Sequence, residues 1–429
     1  MNKQKQNNKL VPELRFPEFE NDGEWEEIRL IDVTDKNTKW SFIGGPFGSN
    51  LKSSDYVTNN KGIRVIQLQN IGDGQFNNSS KIFTSEQKAN ELLSNNIYPG
   101  DIIMSKMGDP VGRACFIPNF HDRYVMCSDG IRLVVDEKKY DKYFIYTLIN
   151  SNSFRSIVER TATGSTRKRI GLDNLKNLMM TVPKELEEQK KIADCLCSLD
   201  DLIGLAIEKL NFLKTHKKGL LQQLFPAEGE TVPKLRFPEF ENDGDWIETQ
   251  LYKVCDVNPT TKNLPQKFVY IDLGSVESGK LLFKKIITLD TAPSRAQRLL
   301  KNSDIIFQMV RPYQKNNYFF NQKDNFNYVA STGYAQLRAY QDSMYLYQYV
   351  HTENFVNRIL AKCTGSNYPA INSGDLSKIK LSIPNQKEQK KIANCLSSLD
   401  DLIEAQREKI EVLKEHKKGL MQQLFPIKN

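Results

Sequence analysis

The stretch EQKKIADCLCSLDDLI at Glu188–Ile203 returns almost unchanged as EQKKIANCLSSLDDLI at Glu388–Ile403. The repeat continues to Pro226 and Pro426, with 28 of 39 positions identical. In both copies apolar residues recur at alternating steps of three and four, the heptad pattern of a helix that packs against another helix. Prolines stand before and after each copy, where helices end. The sequence therefore predicts two long helices, over 184–226 and 385–429.

The two apolar stripes are most simply buried against each other. A globular region lies between them in the chain, which favours an antiparallel pair. About 38 residues at about 1.5 Å each make a rod of roughly 57 Å. Packing of a stripe onto its own domain is the alternative for either stripe alone. The predicted helix-pair interface consists of Ile192, Leu196, Leu199, Ile203, Leu210 and Leu213 with Ile392, Leu396, Leu399, Ile403, Ile410 and Leu413.

Two residue types interrupt the helical pattern. Lys217 occupies a position of the stripe where an apolar residue is expected. Gly219 and Gly419 lie inside the predicted helices, where glycine costs about 1 kcal/mol relative to alanine. The glycines indicate either a local kink or fray, or close backbone contact with a partner.

A second repeat precedes each variable region. The segment VPELRFPEFENDGEW at Val11–Trp25 returns as VPKLRFPEFENDGDW at Val232–Trp246, with 13 of 15 positions identical. Identical frames around dissimilar inserts indicate that the frame binds the same partner twice and the inserts bind different ones. A solenoid requires three or more repeats and is excluded. The predicted order is a first segment (1–25), a variable region (26–183), a helix (184–226), a linker with the second segment (227–246), a second variable region (247–384) and a second helix (385–429).

Both variable regions mix β-rich runs with helical stretches, so we predict two α/β (α+β) domains. PGDIIMS at Pro99–Ser105 parallels NSDIIFQ at Asn302–Gln308. A Thr-Gly pair at Thr163 and at Thr364 opens a loop, after which we predict a short helix and a final strand. The other predicted strands are Ile63–Leu68, Asp101–Ser105, Gly130–Val135, Phe268–Ile271, Asp304–Phe307 and Tyr334–Leu337.

Positive charge concentrates in the two variable regions. The chain has a formal net charge of +8, and residues 26–183 and 247–384 carry net charges of +4 and +7. A polyanion that contacts both regions explains this distribution. Chance variation in surface lysines is the alternative.

Four loops carry side chains suited to nucleic acid. Arg, Lys and Asn pair with base edges in the major groove, and lysines and backbone amides suit phosphates. An ordinary solvated loop is the alternative for each. The candidates are Ser165, Thr166, Arg167, Lys168 and Arg169 with Ser366, Asn367 and Tyr368 after the Thr-Gly pairs, Ser49, Asn50 and Lys52 in a glycine-rich loop, and Arg311, Tyr313, Lys315 and Asn316 in VRPYQKNNY.

The sequence lacks catalytic motifs. GSVESGKL at Gly274–Leu281 approaches a P-loop, but Leu281 replaces the hydroxyl residue that holds Mg²⁺. Asn258-Pro259 does not continue into the N-P-P-aromatic motif of amino-methyltransferases. Scattered histidines and cysteines predict no metal site and no disulfide framework. A polar N-terminus and short apolar runs predict a cytoplasmic protein with no membrane contact.

These motifs identify a family resemblance. RFPEF…W, EQKKIA…LDDLI and HKKGL(L/M)QQLFP resemble the specificity subunit of type I restriction–modification systems across the whole chain. The resemblance implies two target-recognition domains, each reading one half of a bipartite site in double-stranded DNA. It further implies that the two helices set the gap between the halves and dock two methyltransferase subunits, which motor–nuclease subunits join.

The same resemblance implies a non-catalytic chain that binds no cofactor. S-adenosylmethionine, ATP and Mg²⁺ are expected on the partner subunits. The recognition domains resemble the small DNA-reading domain of type II adenine methyltransferases. The alternatives are a self-sufficient methyltransferase–nuclease with the same repeat, which the missing motifs disfavour, and a DNA-free coiled-coil scaffold, which the two positive inserts disfavour.

Overall fold

A computed structural model describes residues 10–58, 61–261, 263–365 and 367–426. The contacts divide the chain into two compact units. Unit 1 holds the described residues up to Ala206 and from Lys409 onwards, and unit 2 holds those of Ile207–Glu408. Each unit therefore contains one variable region, the first half of one long helix and the last half of the other.

Two sheets form most of the first variable region, in unit 1. One has the strand order β3-β5-β4-β10-β6, and the other has the order β2-β11-β7-β9. Two short pairs, β1 with β13 and β8 with β12, complete the unit. The strands are β1 (Glu26–Arg29), β2 (Phe42–Gly44), β3 (Tyr56–Val57), β4 (Ile63–Ile66), β5 (Ile82–Thr84), β6 (Asn96–Ile97), β7 (Ile102–Ser105), β8 (Met107–Gly108), β9 (Ala114–Phe116), β10 (Tyr124–Met126), β11 (Gly130–Leu133), β12 (Lys168–Arg169) and β13 (Met179–Val182).

The helices of unit 1 have clear N-terminal signals. The Asp141 side chain caps α2 by accepting from the Phe144 backbone N–H, and the Ser151 hydroxyl caps α3 in the same way. Both helices bury aromatic rings in a core that also contains Trp25. The helices are α1 (Glu86–Glu91), α2 (Lys142–Asn150), α3 (Asn152–Thr161), α4 (Leu172–Lys176) and the long α5 (Leu186–Gln223), whose second half belongs to unit 2.

Unit 2 repeats this plan with fewer strands in one sheet. Its sheets have the orders β15-β24-β21-β22 and β19-β16-β23-β20, with the pairs β14–β25 and β17–β18 beside them. The strands are β14 (Ile247–Gln250), β15 (Cys255–Val257), β16 (Lys267–Ile271), β17 (Val276–Glu277), β18 (Lys280–Leu281), β19 (Lys285–Thr288), β20 (Ala296–Leu299), β21 (Ile305–Gln308), β22 (Tyr318–Phe319), β23 (Tyr328–Ser331), β24 (Tyr334–Ala339) and β25 (Lys380–Ile383). The helices are α6 (Ser343–Tyr349), α7 (Glu353–Leu360), α8 (Ser373–Ser377) and α9 (Gln386–Leu424), which ends in unit 1.

The predicted strands are confirmed, with shifted ends. The strand predicted at Ile63–Leu68 stops at Ile66, because a 3-10 turn begins at Leu68. The short helix and final strand after each Thr-Gly pair are α4 with β13 and α8 with β25. No helix follows the P-loop-like segment, as predicted; residues 282–284 are irregular, and β19 begins at Lys285.

The long helices pack antiparallel within each unit. In unit 1 Ile192 and Leu196, near the start of α5, share a core with Leu424 at the end of α9. In unit 2 Ile392 and Leu396 share a core with Leu224 in the same way. The predicted antiparallel pair is therefore confirmed.

The residues proposed for the helix-pair interface differ in burial. The assignment of all of them to one seam stays a prediction. Ile192, Leu196, Ile203, Ile392, Leu396, Ile403 and Ile410 are buried, and Leu199, Leu210, Leu213, Leu399 and Leu413 are half-buried.

The short repeated segment is tied to the start of each long helix. In unit 1 the Arg15 guanidinium donates to both oxygens of Glu188 at 2.8 and 2.7 Å, and the Trp25 indole donates to the same carboxylate at 3.1 Å. Arg236 and Trp246 bind Glu388 in the same way in unit 2. The near-identical sequence of the two frames thus builds the same buried lock twice.

Candidate nucleic-acid interface

The loop after each Thr-Gly pair is a narrow hairpin with the same backbone clamp in both units. In unit 1 the Thr163 N–H donates to the Arg169 carbonyl at 2.9 Å, and the Arg169 N–H donates back at 2.8 Å. In unit 2 Thr364 and Ala370 exchange the equivalent bonds at 2.9 and 3.0 Å. The two variable regions therefore share a backbone clamp that presents a five-residue tip, 164–168 or 365–369, and the residues of the tip differ between the units.

Glycine at the start of each tip is required by the backbone. Gly164 has φ +108° and Gly365 has φ +88°, a region that side chains with a Cβ rarely adopt. A Cβ at Gly164 would also lie 2.8 Å from the carbonyl oxygen of Arg167. The turn thus depends on glycine, while the residues after it are free to vary.

The unit 1 tip is a set of exposed polar and basic side chains. Lys168 pairs with Glu159 at 2.6 Å, and its ammonium lowers the pKa of that carboxyl. Arg169 pairs with Asp129 at 2.9 Å. Within the described ranges no ion pair holds Arg167. The structure therefore leaves Arg167 as the cation most available to a ligand, and Ser165 and Thr166 lie exposed beside it.

A second loop lies against this hairpin, and the sequence reasoning missed it. Strand β12 pairs with β8, and the Ile170 N–H donates to the Lys106 carbonyl at 2.9 Å. This places KMGDPVGR, residues 106–113, beside the tip. The sequence carried a signal for this loop. KMGDPVGR follows PGDIIMS in unit 1, and the candidate loop VRPYQKNNY follows shortly after the parallel segment NSDIIFQ in unit 2.

The two predicted loops of unit 2 come together. The Arg311 N–H donates to the Pro369 carbonyl at 2.7 Å, and the Arg311 guanidinium lies 4.2 Å from the centre of the Tyr368 ring. Arg311 has a left-handed backbone, with φ 54°. Asn367 and Tyr313 are exposed near these residues in the chain, and Ser366 lies outside the described residues.

Two further candidates in unit 2 are engaged within the domain. The Lys315 ammonium donates to a carboxylate oxygen of Glu353 and to the carbonyl of His351, both at 2.9 Å. The side-chain oxygen of Asn316 accepts from the Ser278 N–H at 3.2 Å. Because both side chains are half-buried and bonded internally, they brace the loop, and Arg311 is the stronger candidate for contact with a ligand.

The glycine-rich loop of unit 1 carries the remaining candidates. Ser49, Asn50 and Lys52 are exposed, and the Phe47 side chain beside them is 82% exposed. Within the loop, the Lys52 N–H donates to the Asp55 carboxylate at 2.7 Å. Ser49, Asn50 and Lys52 therefore stay candidates on exposed surface.

In the described ranges no group of three or more His, Cys, Asp or Glu side chains is arranged to hold a metal ion. None of the helices described here combines the length and apolarity that a membrane crossing requires.

Comparison with known families decides the assignment. A sequence model described as the type I restriction modification DNA specificity domain matches twice, at residues 23–215 and 217–415. The chain belongs to the type I restriction–modification DNA specificity family. The two matches coincide with the two repeats, so the specificity-subunit assignment made from the sequence is confirmed. A specificity subunit is a non-catalytic component.

Relatives and solved structures agree over nearly the full length. The chain is 22% identical over 383 residues to a putative type I restriction enzyme MjaX specificity subunit of Methanocaldococcus jannaschii, covering 85% of this chain and 86% of the relative. It is 25% identical over 396 residues to the MjaVIII specificity subunit of the same organism, covering 84% of each. The crystal structure of an S subunit from M. genitalium superposes with a TM-score of 0.57 at 14% identity, covering 98% of this chain and 100% of that one.

Proposed function

We propose that this subunit recognises a bipartite site in double-stranded DNA, with each unit reading one half. The observation that carries the proposal is the repeated hairpin, in which one backbone clamp presents two different tips. Phosphate contacts position a protein on DNA, and base-edge contacts supply specificity. Two dissimilar tips on equivalent hairpins fit two dissimilar half-sites, and both domains carry net positive charge.

The side chains at the tips suggest how each half is read. The exposed Arg167 is suited to bidentate contact with guanine, and the exposed Asn367 to bidentate contact with adenine. In unit 2 the Tyr368 ring supports the Arg311 guanidinium, which restricts its motion before binding. Ser49, Asn50 and Lys52 remain candidates for backbone contacts.

We further propose that two methyltransferase subunits dock on the long helices and that motor–nuclease subunits join them. Exposed apolar side chains recur on α5 and α9 outside the buried stripe, and exposed apolar surface marks interaction sites. Leu205 and Phe212 are 63% and 69% exposed, and Val412 is 64% exposed. S-adenosylmethionine, ATP and Mg²⁺ then bind to those partners, and the complex works in the cytoplasm.

The two helix glycines support partner contact. Both long helices continue past Gly219 and Gly419 without a break, so a frayed end before the last turn is wrong. A Cβ at either position would meet nothing within 4 Å in the chain. Since internal packing does not require glycine there, we assign these positions to close approach of a docked subunit.

The docking proposal is tested with a double variant, Leu205→Asp with Phe212→Asp. We expect it to lose co-purification with the methyltransferase subunit, because charge on an apolar interface must be desolvated. The matched control is Asn211→Asp, an exposed neighbour on the same helix. Retained co-purification of the double variant would place the docking surface elsewhere.

The functional assignment is tested with the purified chain and its complex. The chain alone, supplied with both cofactors, should neither methylate nor cut DNA, whereas the methyltransferase complex should methylate a bipartite motif. Robust methyl transfer by the chain alone would indicate the self-sufficient enzyme. Failure to bind any duplex at low salt would indicate the DNA-free scaffold.

We also propose that the helices set the spacer between the half-sites. Adding one heptad to both helices preserves the apolar stripe and lengthens each by about 10.5 Å. At roughly 3.4 Å per base pair, the spacer selected from a random-spacer library should change by at most about three base pairs, with both half-sites unchanged. Retained activity with an unchanged spacer would show that another element sets the distance.

A further inference from the structure

Each unit contains a lysine–aspartate pair between the two long helices. In unit 1 the Lys417 ammonium contacts both carboxylate oxygens of Asp200 at 2.6 Å. In unit 2 Lys217 contacts both oxygens of Asp400 at 2.6 and 2.7 Å. The side chains of Lys417 and Lys217 are 19% and 17% exposed and those of Asp200 and Asp400 are 36% and 40% exposed, so the ammonium groups are the more buried partners.

The lysines occupy the apolar stripe of their helices. Lys217 follows Leu210 and Leu213 at heptad spacing and precedes Leu220, and Lys417 takes the same place in α9. A single polar residue at such a position reduces the stability of a coiled coil but specifies its register. The arrangement is therefore suited to choosing one alignment of the helices among several.

The same carboxylates also bind the recognition part of each unit. The Tyr143 hydroxyl on α2 donates to Asp200. The Gln348 amide on α6 donates to Asp400 at 2.8 Å. Each aspartate thus joins three elements: its own helix, the antiparallel helix and a helix of the recognition domain. We call the two sets the Asp200 node and the Asp400 node.

A slip of one heptad would separate every charge from its partner. Moving the antiparallel helices in one direction places Lys417 opposite Ala193 and Lys217 opposite Ala393. The reverse slip places Lys217 opposite Arg407, which adds repulsion. Apart from Gln406 of α9, the other stripe positions are apolar on both helices and would tolerate the slip, because apolar contacts are not directional. The nodes are the charged features of the stripe that discriminate between the alignments.

We infer that the Asp200 and Asp400 nodes are positioning groups. They fix the register of the two helices and the position of each recognition domain on those helices, and they thereby select one spacer length. This inference rests on the proposed DNA-reading function and assigns its spacing to named residues.

The test replaces both lysines with leucine, K217L with K417L, and selects DNA from a random-spacer library with the methyltransferase complex. We expect the half-site sequences to persist. The preference for the wild-type spacer over spacers that are up to about three base pairs shorter or longer, the equivalent of one heptad, should fall at least tenfold. The control K218L with K418L removes the same charge at exposed neighbouring positions and should keep the wild-type spacer. A node variant with the wild-type preference would overturn the inference.

A second pair of variants covers the case in which the leucine variant does not fold. K217D places two carboxylates together and should lose the spacer preference, and K217D combined with D400K restores an opposite pair and should recover it. Equal behaviour of the two would also overturn the inference. If the wild-type complex selects no bipartite site, the proposed function itself fails, a result distinct from either outcome.

Discussion

The tips of the two hairpins differ while the backbone beneath them does not. In unit 1 the tip is cationic, Glu159 pairs with Lys168 of the tip, and Asp129 pairs with Arg169 at the clamp. In unit 2 the tip carries Tyr368, on which Arg311 from the neighbouring loop stacks. The clamp bonds agree to within 0.2 Å in the two units. The comparison teaches that a clamp shared by the two inserts fixes the position of the tip, while the side chains that the tip presents differ between the units.

The same contrast extends beneath the surface. The buried lock of Glu188 is reproduced at Glu388 with matching partners and similar distances. At the nodes the aspartate and its lysine partner are the same in both units. The donor from the neighbouring helix changes from Tyr143 on α2 to Gln348 on α6. Asn150 of α2 and His351 after α6 occupy equivalent positions, because each lies nine residues after the aspartate that caps its helix. Outside the repeated segments the units therefore share backbone features but differ in the side chains that contact the frame.

The largest expected effect breaks the frame lock. Glu188→Ala leaves the Arg15 guanidinium, whose side chain is 7% exposed, without its buried partner. Loss of one member of a buried pair costs about 3–5 kcal/mol. Hydrogen–deuterium exchange of the full chain should show the loss in unit 1 peptides, and Glu388→Ala should show a loss of similar size in unit 2.

Exposed residues next to these glutamates provide the controls. Glu187→Ala and Lys387→Ala alter the same turns of the helices without touching the lock. They should leave protection within experimental error of the wild type. If Glu188→Ala and Glu388→Ala differ strongly in effect, the two frames are not energetically equivalent, contrary to this account.

An intermediate effect distinguishes the units by pH. Burial lowers the pKa of His351 to about 4, and the nearby Lys217 and Lys315 add repulsion. The folded ring therefore stays neutral while the unfolded ring takes up a proton below its ordinary value of about 6.5. His351 therefore contributes its full stabilisation at neutral pH. As the pH falls from about 6.5 towards 4, the free energy of unfolding decreases by about 2–3 kcal/mol.

The control for this prediction is supplied by unit 1. His351→Asn installs the residue that unit 1 uses at the equivalent position and removes the titrating group. Denaturant unfolding at pH 7 and pH 5 should show a smaller acid-induced loss for the variant than for the wild type. An identical loss in both would assign the acid sensitivity to carboxylates instead.

The smallest expected effect compares the two turn glycines. Alanine at Gly164 meets a carbonyl at 2.8 Å, whereas alanine at Gly365 meets one at 3.2 Å. Strained backbone of this kind costs about 1–3 kcal/mol. We expect Gly164→Ala to weaken binding of a duplex carrying only the first half-site more than Gly365→Ala weakens binding of the second.

Fluorescence anisotropy with half-site duplexes checks this difference. Gly171→Ala is the control, since Gly171 has an ordinary extended backbone and a Cβ there has no contact closer than 4.0 Å. It should bind as the wild type does. A reversed order of Gly164→Ala and Gly365→Ala would contradict the assigned strain.

Local sequence patterns predicted the long helices of the frame. Short strands and loop conformations in the variable regions depend on tertiary pairing, which local patterns do not contain. The heptad stripe depends only on residues that are near one another in the chain, so the bounds of α5 and α9 follow closely from the sequence. The strand β8 has two residues and no alternating pattern, and it exists because β12 pairs with it. Lys315 has a left-handed backbone, φ 54°, and its ammonium bonds to His351 and Glu353 within the domain, and neither feature is signalled by a lysine in the sequence.

Selection of bound sites from a random DNA library, with the methyltransferase complex, tests the central claim most directly. The wild type should yield two half-sites at one spacing. The variant with Arg167, Lys168 and Arg169 changed to alanine should lose specificity in the first half only, by about 1–3 kcal/mol for each base contact removed. The variant with Asn367 and Tyr368 changed to alanine should lose it in the second half only. The account is contradicted if either variant alters both halves, or if both variants select the wild-type site unchanged.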